Sequence, residues 1–307
     1  MNRLAGIIVA VIGLVIAVLS VLKVIPGLTS TGVSLILLGG LVIGLSFVSK
    51  PETENVDRMP TGATLANIFF SPGEVFQNLR RHPRWLAATI VIAVLAGIYT
   101  NLFMYRLTPE RIANYAIDKT LEMSILDENA RRQIEAGRQD AIDTNKNPVI
   151  RAGQAVNSFV ATTFSIAFLA AVFFLFVMAM GGQMNYWQAF SATAYAMLPV
   201  AVVRYVLSSI ILFIKDPTDI HPLIGQGGIV QDNLNFLVSA SNKPVLYVLL
   251  SAISLLSLYW IVLNIIGLKN AGEKVSQSTA TTATLTVWLL GVVMSVVLAL
   301  LFPSFLS

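Results

Sequence analysis

Seven stretches of roughly twenty apolar residues punctuate the chain, at about 4–22, 28–48, 85–104, 158–180, 187–214, 244–268 and 282–302. A helix of about twenty residues is what it takes to cross the ~30 Å hydrocarbon core of a bilayer. Within lipid a helix is the simplest way for a single segment to satisfy its own backbone polar groups. The remaining composition agrees. Only 12% of the residues are charged, about half the share of a soluble domain, so the chain cannot cover itself with charge. The expectation is an all-α polytopic bundle of about seven spans. The first run follows Met1-Asn2-Arg3, has no A-x-A cleavage site, and is joined to the second by a turn containing Lys23 and Pro26-Gly27. This reads as a retained hairpin rather than a cleaved leader.

Several chemistries are excluded at once. There is no cysteine, hence no disulfide, thiolate metal site, lipoprotein anchor or cysteine nucleophile. Two histidines, His82 and His221, are too few for a zinc centre. No Ser/His pair, paired aspartates or H-E-x-x-H lies in the spans, and Gly225-Gln226-Gly227-Gly228 lacks the flanking strand and helix of a phosphate loop. The expectation is therefore no catalytic residue, no metal, no cofactor and no enzyme activity. A net charge of +4 places basic residues in loops beside anionic lipid rather than on nucleic acid.

Sidedness follows from Lys and Arg. Lys50, Arg58, Arg80, Arg81 and Arg84 precede the third span, and Lys269 and Lys274 precede the seventh. Both loops are cytoplasmic if the N-terminus is, and the uncharged 303–307 tail then lies outside. The 105–153 segment, with eight Lys/Arg and eight Asp/Glu, falls outside as well. Long mixed-charge segments of this kind are weak topology signals. Its caps predict helices: Thr108-Pro109-Glu110 starts one, with an apolar stripe of Ile112, Tyr115, Ala116 and Ile125. Another starts at Asp127 and carries Ile134 and Ile142. Residues 215–243 read as a Pro/Gly-containing loop with an apolar patch at 234–238.

The sharpest local signal lies in the 50–84 linker, in Ser71-Pro72-Gly73-Glu74. It reads as a capping box, with proline at the first helical position. The helix so begun places Val75, Phe76 and Leu79 on one face, with Arg80 and Arg81 at its C-terminal end. Trp85 then sits at the interface. The expectation is a short amphipathic helix on the cytoplasmic leaflet. Phe76, Leu79, Arg80, Arg81 and Trp85 would contact the membrane surface or a partner, or would simply orient the third span.

Inside the spans polar groups are scarce. Arg204 lies well within the fifth, where an arginine costs at least about 2.5 kcal/mol unless partnered. Asn264, Asn101 and backbone carbonyls are its candidate partners, and Tyr195 lies on the same span. Two readings stand: structural anchoring, or a polar crevice contacting a headgroup or substrate. No acidic residue lies in any span, which weighs against ion-coupled transport. Gly40-x-x-x-Gly44 in the second span predicts close packing on the first, and Pro199 predicts a kink in the fifth.

The stretch 68–76 (Ile-Phe-Phe-Ser-Pro-Gly-Glu-Val-Phe), followed by Pro83-Arg84-Trp85, resembles the start of the prokaryotic Yip (Ypt-interacting protein) domain. Residues 181–190, then Tyr195-x-x-x-Pro199, resemble its middle, and Ser257 through Leu268 its fourth span. The resemblance covers about 65–305. It implies a five-span bundle at 85–307, carrying the charged insertion at 105–153, behind an added two-helix hairpin at 1–49. Where many bacterial members carry an acidic residue shortly before the fourth span's tryptophan, this chain has Ser254 and Ser257. Eukaryotic relatives bind small GTPases mostly through cytoplasmic N-terminal regions, which a membrane hairpin replaces here, so that function is not carried over. The expected role is a non-enzymatic organiser of the inner membrane. It would bind lipid and a membrane or cytoplasmic protein, homo-oligomers included. The alternative is a channel, transporter or lipid mover using the crevice around Arg204.

Overall fold

The computed structural model describes residues 2–49, 57–123, 126–240 and 242–302. Among them are thirteen α-helices and no strand: α1 (Asn2–Val21), α2 (Thr29–Leu45), α3 (Thr61–Asn67), α4 (Pro72–Arg81), α5 (Leu86–Leu107), α6 (Pro109–Leu121), α7 (Glu128–Ala136), α8 (Arg138–Lys146), α9 (Pro148–Ala179), α10 (Tyr186–Ile214), α11 (Pro244–Ala252), α12 (Leu255–Ala271) and α13 (Gln277–Leu301). Lys50, Ile125 and the 303–307 tail lie outside the described residues.

Five helices, α1, α5, α9, α10 and α13, are long and apolar enough to cross a membrane. The expected second span is shorter, at 17 residues, and the expected sixth is not one helix. It breaks at Ile253, whose backbone is extended, and restarts at Ser254. The Ser257 N–H donates to Ser254 Oγ (2.9 Å) and the Ser254 N–H donates to Ser257 Oγ (3.0 Å). Two serines thus offer the backbone a start signal in place of continuous helix bonds.

The caps read from the charged segment are present. Thr108 accepts from the Arg111 N–H, and Asp127 accepts from the Ala130 N–H at 2.7 Å. Ile134 and Ile142 fall on separate helices, α7 and α8, because the chain turns at Gly137. The fourth span begins ten residues earlier than its apolar run. Asn147 caps α9 by accepting from the Val149 N–H at 2.9 Å, and Pro148 follows at the first helical position.

Two compact units form. One comprises the chain up to Val94 with Asn147–Pro199 and Leu263–Thr284; the other comprises Leu95–Lys146, Val200–Val262 and the remainder from Leu285. In the first, α1 and α2 pack backbone to backbone. A β-carbon on Gly13 would meet the Gly32 carbonyl at 2.6 Å, and one on Gly39 would meet the Gly6 carbonyl at 2.5 Å. The Gly40/Gly44 pair expected on this seam is not on it, since nothing lies within 4 Å of either β-position. Neighbouring helix positions differ by about 100°, so the seam that runs through Gly32 and Gly39 turns Gly40 away. The second unit is centred on Tyr99, Phe103, Leu107, Leu212 and Ile220, all buried.

Gly32→Leu should therefore force α1 and α2 apart, at about 1–3 kcal/mol or more, whereas Gly40→Leu should change stability by less than about 0.5 kcal/mol. Melting temperatures of the two variants in one detergent test this; equal losses would reject the seam.

Candidate functional site

In the first unit, α4 starts with Pro72 at its first position and ends on Arg80 and Arg81, as its sequence predicts. The capping box does not form. Ser71 makes no side-chain cap bond, and its N–H is taken by the Asn67 carbonyl at 2.7 Å, so Glu74 has no free N–H there to bond. A larger departure concerns the apolar face. Val75, Phe76 and Leu79 are fully buried in the unit. A β-carbon on Gly267 would lie 3.2 Å from two carbons of the Phe76 ring and 3.6 Å from Ala192 Cβ. Phe76 and Leu79, expected to touch membrane or partner, are core residues instead.

The end of α4 is tied down as well. Gln188 Nε2 donates to the Arg80 carbonyl (3.0 Å), and Gln77 Nε2 donates to Asn270 Oδ1 (3.3 Å). Trp85 stacks on Phe190 at 4.7 Å between centroids and 19° between planes, and Arg81 is half-buried.

Arg84, which the sequence marks through topology and through the resemblance of Pro83-Arg84-Trp85, is the best-connected cation of this region. Its Nη2 donates to the Met59 carbonyl (2.6 Å), Thr64 Oγ1 (2.6 Å) and Asn78 Oδ1 (3.2 Å). All three acceptors are neutral, and Nε and Nη1 are buried without a hydrogen-bond partner. Burial lowers the pKa of this guanidinium; the Tyr195 hydroxyl raises it and the Arg58 charge lowers it. Tyr195 is itself fully buried with its hydroxyl unpartnered, as is Ser191 one turn earlier. The sequence signals for Arg84 are the run Arg58, Arg80, Arg81, Arg84 ahead of a span and the Pro83-Arg84-Trp85 resemblance.

The polar residues expected inside the spans divide between the units: Tyr195 and Asn264 in the first, Arg204 and Asn101 in the second. Asn264 is buried. Asn101 donates its amide to the Gly97 carbonyl of its own helix at 2.8 Å. Arg204 lies under residues of the 215–243 segment. Gly228, at φ +123°, sits where a β-carbon would come within 3.1 Å of Arg204 Cγ and Ser208 Oγ; this left-handed backbone and close approach suit glycine alone.

That segment is folded onto the unit rather than loose. The Tyr99 hydroxyl donates to the Gly225 carbonyl (2.5 Å), the Ile229 N–H to Ser208 Oγ (3.0 Å), and Arg111 Nη1 to the Pro217 carbonyl (2.6 Å). Asp232 reaches the start of α12 and accepts from the Leu256 N–H at 2.7 Å, a favourable place for a carboxylate. A carboxylate thus stands beside Ser254 and Ser257 after all, supplied by a distant residue that sequence reading passed over.

His221 locks the same segment. Its Nδ1 accepts from the Leu223 and Ile224 N–H groups (3.2 and 3.1 Å), which leaves Nε2 to donate to the Tyr115 hydroxyl at 3.1 Å. Burial first, and the Lys119 charge second, lower its pKa from 6.5. A lowered folded-state value means that protonation favours opening: stability is full above pH 6.5 and is lost as pH falls through the folded pKa. Amide protection of 220–225, corrected for intrinsic exchange, should decline between about pH 7 and pH 5. His221→Gln should flatten that decline, and an unchanged pH profile in the variant would reject the assignment.

Parts of the stretches singled out by resemblance meet in the first unit, with Phe76 on Gly267 and Trp85 on Phe190; there too Gln188 donates to the Arg80 carbonyl, and the Gln183 N–H to the Lys274 carbonyl at 3.0 Å. A family model described as the Yip1 domain matches residues 66–300. No curated protein and no solved structure matches the chain. With more than half of its length matched and five helices apolar enough to cross a bilayer, the chain belongs to the Yip1 domain family of membrane proteins.

Proposed function

We propose that this protein is a non-enzymatic membrane organiser that binds lipid or a protein partner through the basic collar ahead of α5. The observation that carries this reading is the fixing of the collar. The described part of the linker carries Arg58, Arg80, Arg81 and Arg84 against two acidic residues, Asp57 and Glu74, and the buried face of α4 holds Arg80 and Arg81 at the head of a span. Beside them Phe70, at the α3–α4 corner, is 85% exposed. Anionic lipid attracts such cations by about 1 kcal/mol each near its surface, and an exposed phenylalanine adds an apolar anchor. The Yip1 family is not an enzyme family, in keeping with this role. We place the N-terminus in the cytoplasm on the strength of the Lys/Arg distribution, and the protein in a prokaryotic inner membrane because it lacks cysteine and N-x-[S/T] sites. The hairpin (1–49), collar linker (50–84) and bundle (85–307) are its functional divisions, and a second copy is among its possible partners.

A conduit around Arg204 is the second reading. It is favoured by the break between α11 and α12 with Asp232 at the new helix start, since broken helices line the sites of many transporters. Gly228 lying on the Arg204 stem weighs against it.

A photo-cross-linking residue placed at Phe70 or Arg81 in native membranes should capture lipid or a protein partner, and one at Phe76 should capture neither. No adduct from Phe70 or Arg81 would sink the organiser reading.

A further inference from the structure

The second unit contains a cavity that neither the basic collar nor Arg204 uses. It measures about 590 Å³ and lies between the end of α6, α11 and the last turns of α13. Ser295, Leu298, Ala299 and Phe302 line it from α13. Spaced at three, four and seven residues, they form one face of that helix. Thr120 and Met123, at the end of α6 and just past it, make a second wall, and Val248 of α11 makes a third.

These walls suit an apolar occupant. Ligand cavities run to ~300–1,000 Å³ and are lined mostly by apolar groups with a few polar ones, so this one is of ligand size. Among the described residues no charged side chain lines it, and only Thr120 and Ser295 bring hydroxyls. Both hydroxyls have committed their protons to their own helices. Thr120 Oγ1 donates to the Ala116 carbonyl at 2.7 Å, and Ser295 Oγ donates to the Gly291 carbonyl at 2.9 Å. A confined water needs about two to four polar partners, which this lining cannot supply across its volume. Left empty, the lining would forfeit its dispersion contacts on the open side.

Position identifies the apolar ligand. α13 is one of the five helices long and apolar enough to cross a bilayer. On the flank of α13 beside the cavity face, Met294 is 61% and Leu301 64% exposed, so acyl chains are the solvent along this helix. Leu298 is half-exposed and Ala299 is buried, so the cavity face itself runs from that lipid-side surface into the unit. The polar end is marked as well. Lys119 and Glu122, one position before each of the two α6 lining residues, form an ion pair at 3.1 Å. Opposite charges next to an apolar wall match a zwitterionic phospholipid, which carries the same sequence of groups.

We propose that this cavity binds one acyl chain of a bilayer phospholipid, with a zwitterionic headgroup beside Lys119 and Glu122. A chain seated there joins the end of α6, in the charged segment, to α11 and α13. The site is separate from the collar ahead of α5 and does not depend on the organiser reading.

The test places full-length protein in vesicles of phosphatidylethanolamine and phosphatidylglycerol. A trace of the phosphatidylethanolamine carries a diazirine near the end of one chain, and adducts are mapped by mass spectrometry after irradiation. They should concentrate on Met123, Val248 and Ala299, while Leu290, exposed on the same helix outside the cavity, carries only background. Ser295→Trp and Val248→Phe, which fill the space from two walls, should each lower the lining adducts about tenfold, and Leu290→Trp should not. Should one filled variant fail to fold, the other decides. Adducts spread evenly along α13, or unchanged in the filled variants, overturn the proposal, since the groove is then only wetted by bulk lipid. A fall in dimer fraction with lipid adducts unchanged would assign the face to a second copy. Labelling of the lining that appears only after residues 303–307 are removed would assign it to that tail. Either result overturns the proposal. Cross-linking from Phe70 and Arg81 reads the other unit, so the acyl-chain site and the organiser reading can fail separately.

Discussion

The Phe76 ring lies against the backbone of Gly267, at a distance that leaves no room for a β-carbon, and the first unit is arranged around that contact. A ring of this size seated on bare backbone brings α4 and α12 together more closely than side chains allow. Ala192 on α10 closes the third side. With its apolar face taken, α4 can offer only its ends and its polar flank. The Arg80 carbonyl then meets Gln188, Trp85 meets Phe190, and the Arg84 guanidinium is bonded to Asn78 of α4 and Thr64 of α3. Displacing Phe76 would release each of these in turn.

A comparable economy holds the second unit together, with hydrogen bonds in place of a ring. The 215–243 segment contains prolines and glycines and only short helical turns, so its own backbone bonds leave other groups to be satisfied by side chains. Tyr99 and Arg111 donate to its carbonyls, Ser208 accepts from the Ile229 N–H, and the segment's own His221 accepts from two of its N–H groups. In return it delivers Asp232 to the start of α12. Irregular backbone is tolerated near a membrane where protein covers it, and here the covering groups are identifiable one by one.

These two units give the family likeness a physical content. The residues that resemble the Yip domain are largely those at close contacts: Gly267 for the ring, Gln188 for the carbonyl, the Trp85–Phe190 stack. They describe a way of packing an amphipathic helix under a bundle. The arginines that this packing fixes in place are where lipid or partner chemistry has something to act on.

Much was legible in the sequence because the signals are local. Apolar run length marked the spans, Thr108 and Asp127 marked helix starts through bonds to N–H groups three residues on, and Pro72 marked one through its fixed φ. Composition excluded thiol chemistry outright. Other features were decided by partners far along the chain. An amphipathic helix has an apolar face whether lipid or protein covers it, so it took partners such as Gly267, nearly two hundred residues on, to put Phe76 inside. The sixth apolar run has the length of a span, and its break at Ser254 depends on hydroxyls choosing local backbone bonds, with Asp232 arriving from outside to support them. Gly40 and Gly44 satisfied a pattern, yet the rotation of α2 against α1 chose Gly32 and Gly39. Sequence by itself determined that this is a helical membrane protein of the Yip type with cations massed before a span. Tertiary structure decided which face of each helix is covered and which buried polar groups find partners, because burial and hydrogen-bond satisfaction are properties of neighbours brought together by the fold.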